Sequence, residues 1–242
     1  MTAGRLVLVA SWIDEETPPD RVLPAGALER IRALRDFVVE DAKSARRFLA
    51  ACKHPLPIRE IAMAELNEHT AEAAVPALLE PARAGRELGL LSEAGMPAIA
   101  DPGARLVACA HAEGIAVIPL VGPSSILLAL AASGLEGQRF RFAGYLPVDA
   151  PARAAALLEL ERRSAADDET QVFIETPYRN DAMLGEVLKA CKPTTRLAIA
   201  AAMTGPSEWI RMRPIEAWRR DVPVVGKRPA IFLLHAEAKK RR

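Results

Sequence analysis

Short apolar runs ending in small-residue or proline turns recur along the chain, and segments with helical spacing lie between them. Residues 5–10 form a continuous apolar strand, followed by a loop with Pro18 and Pro19, and Leu28, Ile31 and Leu34 then mark one face of a helix over 25–34. A short strand at 37–39 ends in Glu40-Asp41, and 42–52 reads as a helix with Lys43, Arg46 and Arg47 on a solvated side. A third strand is expected within 58–66, and Asn67-Glu68-His69-Thr70 leads into a helix to about residue 84. The best-marked stretch follows. The apolar run of Leu88, Leu90 and Leu91 stops at Ser92-Glu93-Ala94-Gly95, and Asp101-Pro102-Gly103 opens a helix ending near Gly114. Asp101 is expected to accept the free N–H groups there as a cap rather than to act as a catalytic acid. A strand over 115–120 then ends in Val121-Gly122-Pro123-Ser124-Ser125, before a further apolar helix.

Continuous rather than alternating apolarity marks strands buried on both faces, and the β-α order predicts a mostly parallel sheet covered by helices. In such sheets ligands sit outside the carboxyl ends of the strands. After Gly134 the pattern changes: 140–145 alternates, a helix runs to about residue 163, and strands are expected at 170–175, 196–203, 208–212 and 230–235, with helices at 180–191 and 215–220. Ala201 and Thr204-Gly205-Pro206 join two strands through a short, hairpin-like connection that a purely parallel sheet does not allow. The expectation is an α/β protein of two domains, a parallel α/β domain over 1–136 and a mixed-sheet α+β domain over 137–242.

Composition narrows the class. Half of the 242 residues are apolar and 26% are charged, as in a soluble globular protein, and the formal charge of +1 exerts no strong pull on nucleic acid or an anionic membrane. The balance is uneven, with 13 basic and 18 acidic residues up to Glu136, and 19 and 13 beyond it. Four of the latter cations are the terminal Lys239-Lys240-Arg241-Arg242, read as a solvated tail. Cys52, Cys109 and Cys191 are scattered, as are the four histidines, so buried thiols in a reducing cytoplasm are expected and no metal site. The uncharged run 114–135 is broken by Pro119 and Gly122-Pro123 into a strand and a helix, and the short N-terminal apolar run is not a signal peptide, so no membrane association is expected. There is no G-x-G-x-x-G after the first strand, no phosphate-binding G-x-x-x-x-G-K-[ST] and no G-x-S-x-G elbow.

The run Leu91-Ser92-Glu93-Ala94-Gly95-Met96-Pro97-Ala98-Ile99-Ala100-Asp101-Pro102-Gly103 resembles the S-D-A-G-T-P-x-I-S-D-P-G signature of the ribosomal RNA small subunit methyltransferase I group, within the tetrapyrrole methylase superfamily. The segment from Val117 to Ser125, Ala132-Ser133-Gly134-Leu135 and Arg139-Phe140 through Gly144-Tyr145-Leu146-Pro147 continue the match in order. The resemblance implies a two-domain homodimeric enzyme, cytoplasmic, using S-adenosyl-L-methionine in rRNA processing by 2'-O-methylation of a ribose. It implies that Ser92, Glu93, Ala94 and Gly95 face the cofactor, with Ile99 and Ala100 lining it and Gly122, Pro123, Ser124 and Ser125 as a second wall. From the second domain, which closes over the cofactor, it implies Glu175, Thr176, Met203, Thr204, Pro229 and Ala230. Glu40, Asp41, Lys43 and Asn67 would orient the acceptor. Two loops depart from the group's pattern: Ser11-Trp12-Ile13-Asp14-Glu15-Glu16-Thr17-Pro18 replaces T-P-I-G-N-L, and Glu40-Asp41-Ala42-Lys43-Ser44 keeps only part of E-D-T-R-x-T. A small-molecule or tetrapyrrole methyltransferase, and a cofactor-binding homologue without transferase activity, therefore remain open.

Overall fold

The structure is a computed structural model and describes residues 4–237; the basic tail at 239–242 lies outside them. The chain divides into two compact units, Met1–Ser124 and Ser125–Arg242. The division falls earlier than the 136/137 boundary expected from the alternation after Gly134. The reason is α5 (Ser125–Ser133), which packs on three strands of the second sheet.

The first unit holds β1 (Arg5–Val9), β2 (Asp36–Val39), β3 (Ala62–Glu65), β4 (Glu87–Leu91) and β5 (Ala116–Pro119) in the order β3-β2-β4-β1-β5, every pair parallel. Neighbouring side chains on a strand point to opposite faces, and both faces here are buried. Val7, Phe37 and Val39 pack with Leu28 and Ile31 of α1 (Ala25–Ala33) and with Phe48 and Leu49 of α2 (Ala42–Ala51). On the other face Leu6, Val38 and Leu88 pack with Val75, Leu79 and with Leu106 and Ala110 of α4 (Gly103–Ala112). The segment expected to be a helix up to residue 84 is a 3-10 helix over Glu72–Leu79 followed by the one-turn α3 (Glu80–Arg83). Pro76 and Pro81 explain it, since each removes an N–H that a continuous α-helix would use. Pro57 likewise opens a 3-10 turn at Ile58–Glu60, which shortens the expected third strand to β3.

The second unit holds β6 (Phe140–Tyr145), α6 (Ala150–Asp167), β7 (Thr170–Ile174), α7 (Asn180–Ala190), β8 (Arg196–Ala201), β9 (Trp209–Pro214), α8 (Ile215–Arg220) and β10 (Ala230–His235). Its sheet runs β6-β7-β10-β8-β9, with β6 and β7 parallel and every other pair antiparallel. Phe173 and Phe232 stack at 5.5 Å, and the Trp218 indole donates to the Leu197 carbonyl at 2.9 Å inside a core completed by α6, α7 and α8. β8 stops at Ala201, two residues short of the expected end, because Ala202 turns to a left-handed φ of 50°.

Candidate functional site

In the first unit all strands point the same way, so the loops after β1, β2, β4 and β5 leave from one end of the sheet. The loop after β4 is braced by its neighbours. Ser11 N–H donates to the Gly95 carbonyl at 2.8 Å, and Gly95 N–H returns a bond to Trp12 at 3.2 Å. Gly95 has a φ of 70°, which glycine adopts without a Cβ penalty. The Ser92 hydroxyl donates to the same Gly95 carbonyl, and the Ser11 hydroxyl to the Glu93 carbonyl, both at 3.3 Å. From the β2 end, a Glu40 carboxylate oxygen accepts from Glu93 N–H at 3.2 Å, while the Ser44 hydroxyl donates to the Glu93 carboxylate at 3.1 Å. Asp41 caps α2 by accepting from Ser44 N–H at 2.7 Å. The structure thus joins Glu40, Asp41, Ser92, Glu93 and Gly95 through one hydrogen-bonded network. Lys43 is exposed beside it. Asn67 is not drawn in: its side-chain oxygen accepts from His69 N–H at 3.1 Å within its own turn.

The far side of the β4 loop is latched by Asp101. Its carboxylate accepts from Ala98 N–H at 2.9 and 2.8 Å and from Gly103 N–H, the first residue of α4, at 2.7 Å; the N-cap position itself falls on Pro102, one residue later than expected, so Asp101 ties the helix start from just outside it. Between the latch and Glu40 lies a cavity of about 10 Å³, also lined by Ser92 and Pro97, room for about one water. Burial pushes Asp101 above the ordinary carboxylate range. Glu40 is raised first by burial and then by the charges of Asp101, Glu93 and Asp41, against the lowering effect of Glu93 N–H. Asp41 is lowered, chiefly by its bond from Ser44 N–H, with a smaller contribution from the Lys43 charge. Ala98 and Ala100 have φ of 66° and 63°, a left-handed conformation that costs an L-residue about 1–2 kcal/mol. These bends leave Ala94, Ile99 and Ala100 exposed. At the β5 end, a Cβ on Gly122 would stand 2.3 Å from the Ala10 Cβ, so only glycine lets this loop close on β1. Pro123 is buried, and Ser124 and Ser125 are half-buried.

In the second unit the antiparallel register brings three loops to one end of the sheet. Ile174 pairs with Ile231 and Ala201 with Ala230, so the exits of β7 and β8 lie beside the entry of β10. Ala202 N–H donates to the Pro229 carbonyl at 2.9 Å. The site residues expected here, Glu175, Thr176, Met203, Thr204, Pro229 and Ala230, therefore gather at a single edge. Glu175 is buried; one of its carboxylate oxygens accepts from Thr176 N–H at 2.8 Å and the other lies 3.1 Å from the Arg179 guanidinium. Met203 is buried and Thr204 N–H donates to Glu208 at 2.8 Å. Ala202 and Thr204 have φ of 50° and 67°.

Several bracing residues escaped the sequence reading: Ser11 and Ser44 on Glu93, Arg179 on Glu175, and Asp181, whose carboxylate accepts from Val225 N–H at 2.7 Å and holds the loop before β10. Only Arg179 left a local signal, four residues beyond Glu175, where side chains on a helical turn meet. Among the described residues no cluster of metal-ligating side chains occurs and no helix is long and apolar enough to cross a membrane. Cys52 and Cys191 are buried, with thiols pushed up to about 12 by that burial, whereas Cys109 is half-buried.

Residues 21–217 match the family model for tetrapyrrole (corrin/porphyrin) methylases. Ribosomal RNA small subunit methyltransferase I of Mesorhizobium japonicum is 36% identical over 191 residues, 79% of this chain and 62% of that protein. The protein of the same name from Vibrio cholerae is 31% identical over 212 residues, 86% of this chain and 70% of that one. The chain thus spans about six-tenths to seven-tenths of the length of these relatives. Among solved structures, the methyltransferase CobJ superposes with a TM-score of 0.63 at 18% identity, covering 99% of this chain and 97% of that one. The uroporphyrin-III C-methyltransferase from Thermus thermophilus, solved with S-adenosylhomocysteine, gives 0.56 at 20% identity, with 96% and 97% covered. The two sheets described above are the fold of these methyltransferases.

Proposed function

We infer that this chain, which belongs to the family of tetrapyrrole (corrin/porphyrin) methylases, is an S-adenosylmethionine-dependent methyltransferase acting on an oxygen of an RNA ribose in the small ribosomal subunit. The single observation that carries the reading is the braced β4 loop. It is the stretch that resembles the methyltransferase I signature, and it holds Glu93 between Glu40 and Ser44. The relatives' names supply the acceptor class.

The residues present fit the cofactor. A flat apolar base needs small apolar neighbours, which Ala94, Ile99 and Ala100 offer as exposed side chains. The amino acid end needs backbone partners of the kind that the strand-end turns at 92–95 and 122–125 offer; in the second unit, taken by itself, Thr176, Thr204, Pro229 and Ala230 stand at strand ends of the same kind. A sulfonium cation is tolerated beside a carboxylate, the role given to Glu93; Glu175 and Met203 lie with the second unit's own strand-end residues. When bound, S-adenosylmethionine supplies an electrophilic methyl group for in-line displacement. The chain's own part is alignment, which provides most of the acceleration in such a transfer. Glu40, raised by burial above its ordinary value and placed beside Glu93, is the carboxylate suited to accept the hydroxyl hydrogen bond of the acceptor. Lys43 offers an exposed cation beside it. Asp41 contributes by fixing the start of α2, and Asn67 by fixing the turn after β3. The protein acts in the cytoplasm as a homodimer on this reading, as the resemblance implies.

Calorimetric titration with S-adenosylhomocysteine tests the site without knowledge of the acceptor. One site per chain is expected, and Glu93→Ala should weaken binding. No binding at millimolar ligand removes the cofactor reading, and unchanged affinity in the variant removes Glu93 from the site. A second reading, transfer to a tetrapyrrole or another small acceptor, is favoured by the first-strand loop, where Ser11 to Pro18 lacks the group's Gly-Asn-Leu. Methyl incorporation into small-subunit rRNA separates the two.

A further inference from the structure

We propose that the exposed basic side of α2 and the cation-lined cavity at its C-terminal end bind the phosphate backbone of the RNA acceptor. This rests on the function proposed above and names a surface for it. Lys43 and Arg46 stand three residues apart on α2, a spacing that keeps them on one side of it, and Lys53 follows just past the helix end. All three are exposed, and among the described residues neither Arg46 nor Lys53 forms an ion pair. Arg47, one position round the helix, is by contrast held by Glu15 at 2.6 Å. The first unit is poor in cations relative to carboxylates, so their concentration along α2 is local. At 1.5 Å per residue, the helix carries this stripe roughly 15 Å from the network around Glu40 and Glu93.

At its far end the stripe meets a cavity of about 370 Å³ between α2, α1 and the turn at Pro19–Arg21. Arg21, Arg32 and Lys53 line it against one carboxylate, Asp20. Arg32 is oriented by a bond from its Nε to the Cys52 carbonyl at 2.7 Å, and its terminal nitrogens make no hydrogen bond among the described residues. They remain available to an anion.

Lys53 provides a second, independent observation. α2 ends with His54 N–H donating to Leu49 at 3.2 Å and Lys53 N–H to Ala50 at 3.0 Å, a closure that demands a left-handed residue and usually employs glycine. Here the residue is lysine, with a φ of 57°. A strained conformation is thereby spent on a side chain that places an ammonium at the cavity, and such outliers gather where ligands are held.

The test follows from the same feature. Lys53→Gly removes the cation while relieving the backbone, so the double variant Arg21→Ala/Lys53→Gly should fold and bind S-adenosylhomocysteine as the wild type does. Binding of a small-subunit rRNA transcript is then measured across a salt series. Each phosphate contact contributes roughly 0.7–0.9 to the slope of log affinity against log salt, so the double variant should show a slope shallower by about 1.5. An unchanged slope overturns the surface. So does a wild type that binds S-adenosylhomocysteine but no RNA, or one in which the cavity takes inorganic phosphate and RNA does not compete. Failure to bind S-adenosylhomocysteine counts against the methyltransferase reading instead, and the salt slope still decides the surface.

Discussion

The two units assemble comparable ends of strands in different ways. In the first, five parallel strands bring the loops that follow them to one edge, where side chains supply much of the tying: Glu40 and Ser44 to Glu93 and the Ser11 hydroxyl to the Glu93 carbonyl between loops, and Asp101 to Ala98 within one, beside the backbone bonds of Ser11 and Trp12 with Gly95. In the second, a strand running the other way starts where two others finish, so the backbone makes the tie directly, as in Ala202 N–H to Pro229. Parallel topology gathers loops and leaves their positions to side-chain chemistry. Antiparallel register fixes the positions and leaves less for side chains to do. A loop of the first unit should therefore loosen when a bracing side chain is removed, and a loop of the second when its backbone ties are disturbed.

The sharpest way to break this contrast is Gly122→Val. Its Cβ would overlap Ala10 at 2.3 Å and also approach Leu23, and overpacking of this kind costs about 1–3 kcal/mol. The expected outcome is a melting temperature several degrees lower together with weaker S-adenosylhomocysteine binding. A wild-type melting curve would mean that the β1 and β5 ends are free to separate and that the first unit's loops are not packed as a set.

Much of this arrangement is legible in the sequence. Continuous apolar runs such as Leu6 to Val9 announce parallel strands because both faces are buried, and Asp101-Pro102-Gly103 announces a helix start through its capping chemistry. Loop conformation is less legible. Ala98, Ala100 and Ala202 carry no sign of their left-handed φ, since alanine is neither glycine nor asparagine and only tertiary ties hold it there. Ser11, Ser44 and Glu40 meet Glu93 from three different strand ends, a convergence that depends on the order β3-β2-β4-β1-β5 and on no local pattern. The 3-10 character of 72–79 could be read from Pro76 only by giving it more weight than the apolar spacing around it.

A smaller effect tests the side-chain ties themselves. Glu40 and Asp101 are both raised above their ordinary values, mainly by burial. The folded state therefore binds more protons than the unfolded one in the window just above pH 4–5, and stability falls as pH rises through it. Glu40→Gln keeps an oxygen to accept from Glu93 N–H but cannot ionise. It should match the wild type near pH 4 and exceed its stability at pH 7 by up to about 1 kcal/mol, reduced by solvent screening because Glu40 is half-exposed. Parallel stability curves from pH 4 to 7 would show that Glu40 is solvated and that the bond to Glu93 is not a brace.

The smallest effect compares the units most directly, through one alanine in each. Ala98 and Ala202 both sit at positive φ, where glycine removes about 1–2 kcal/mol of strain while losing about 0.5–1 kcal/mol more chain entropy on folding. Either glycine variant should thus gain about 0.5 kcal/mol in denaturant unfolding. Their ligand binding should differ. Ala98 N–H is gripped by both oxygens of Asp101, which also holds Gly103, so the loop keeps its course and S-adenosylhomocysteine affinity changes little. Ala202 is held by backbone bonds alone, from its N–H to Pro229 at 2.9 Å and from Gly205 N–H to its carbonyl at 3.1 Å, so extra freedom there spreads to Met203 and Thr204, weakening binding severalfold. Equal losses in the two variants would mean that the Asp101 latch adds nothing to the loop's rigidity, and that backbone register and side-chain bracing hold these sites equally well.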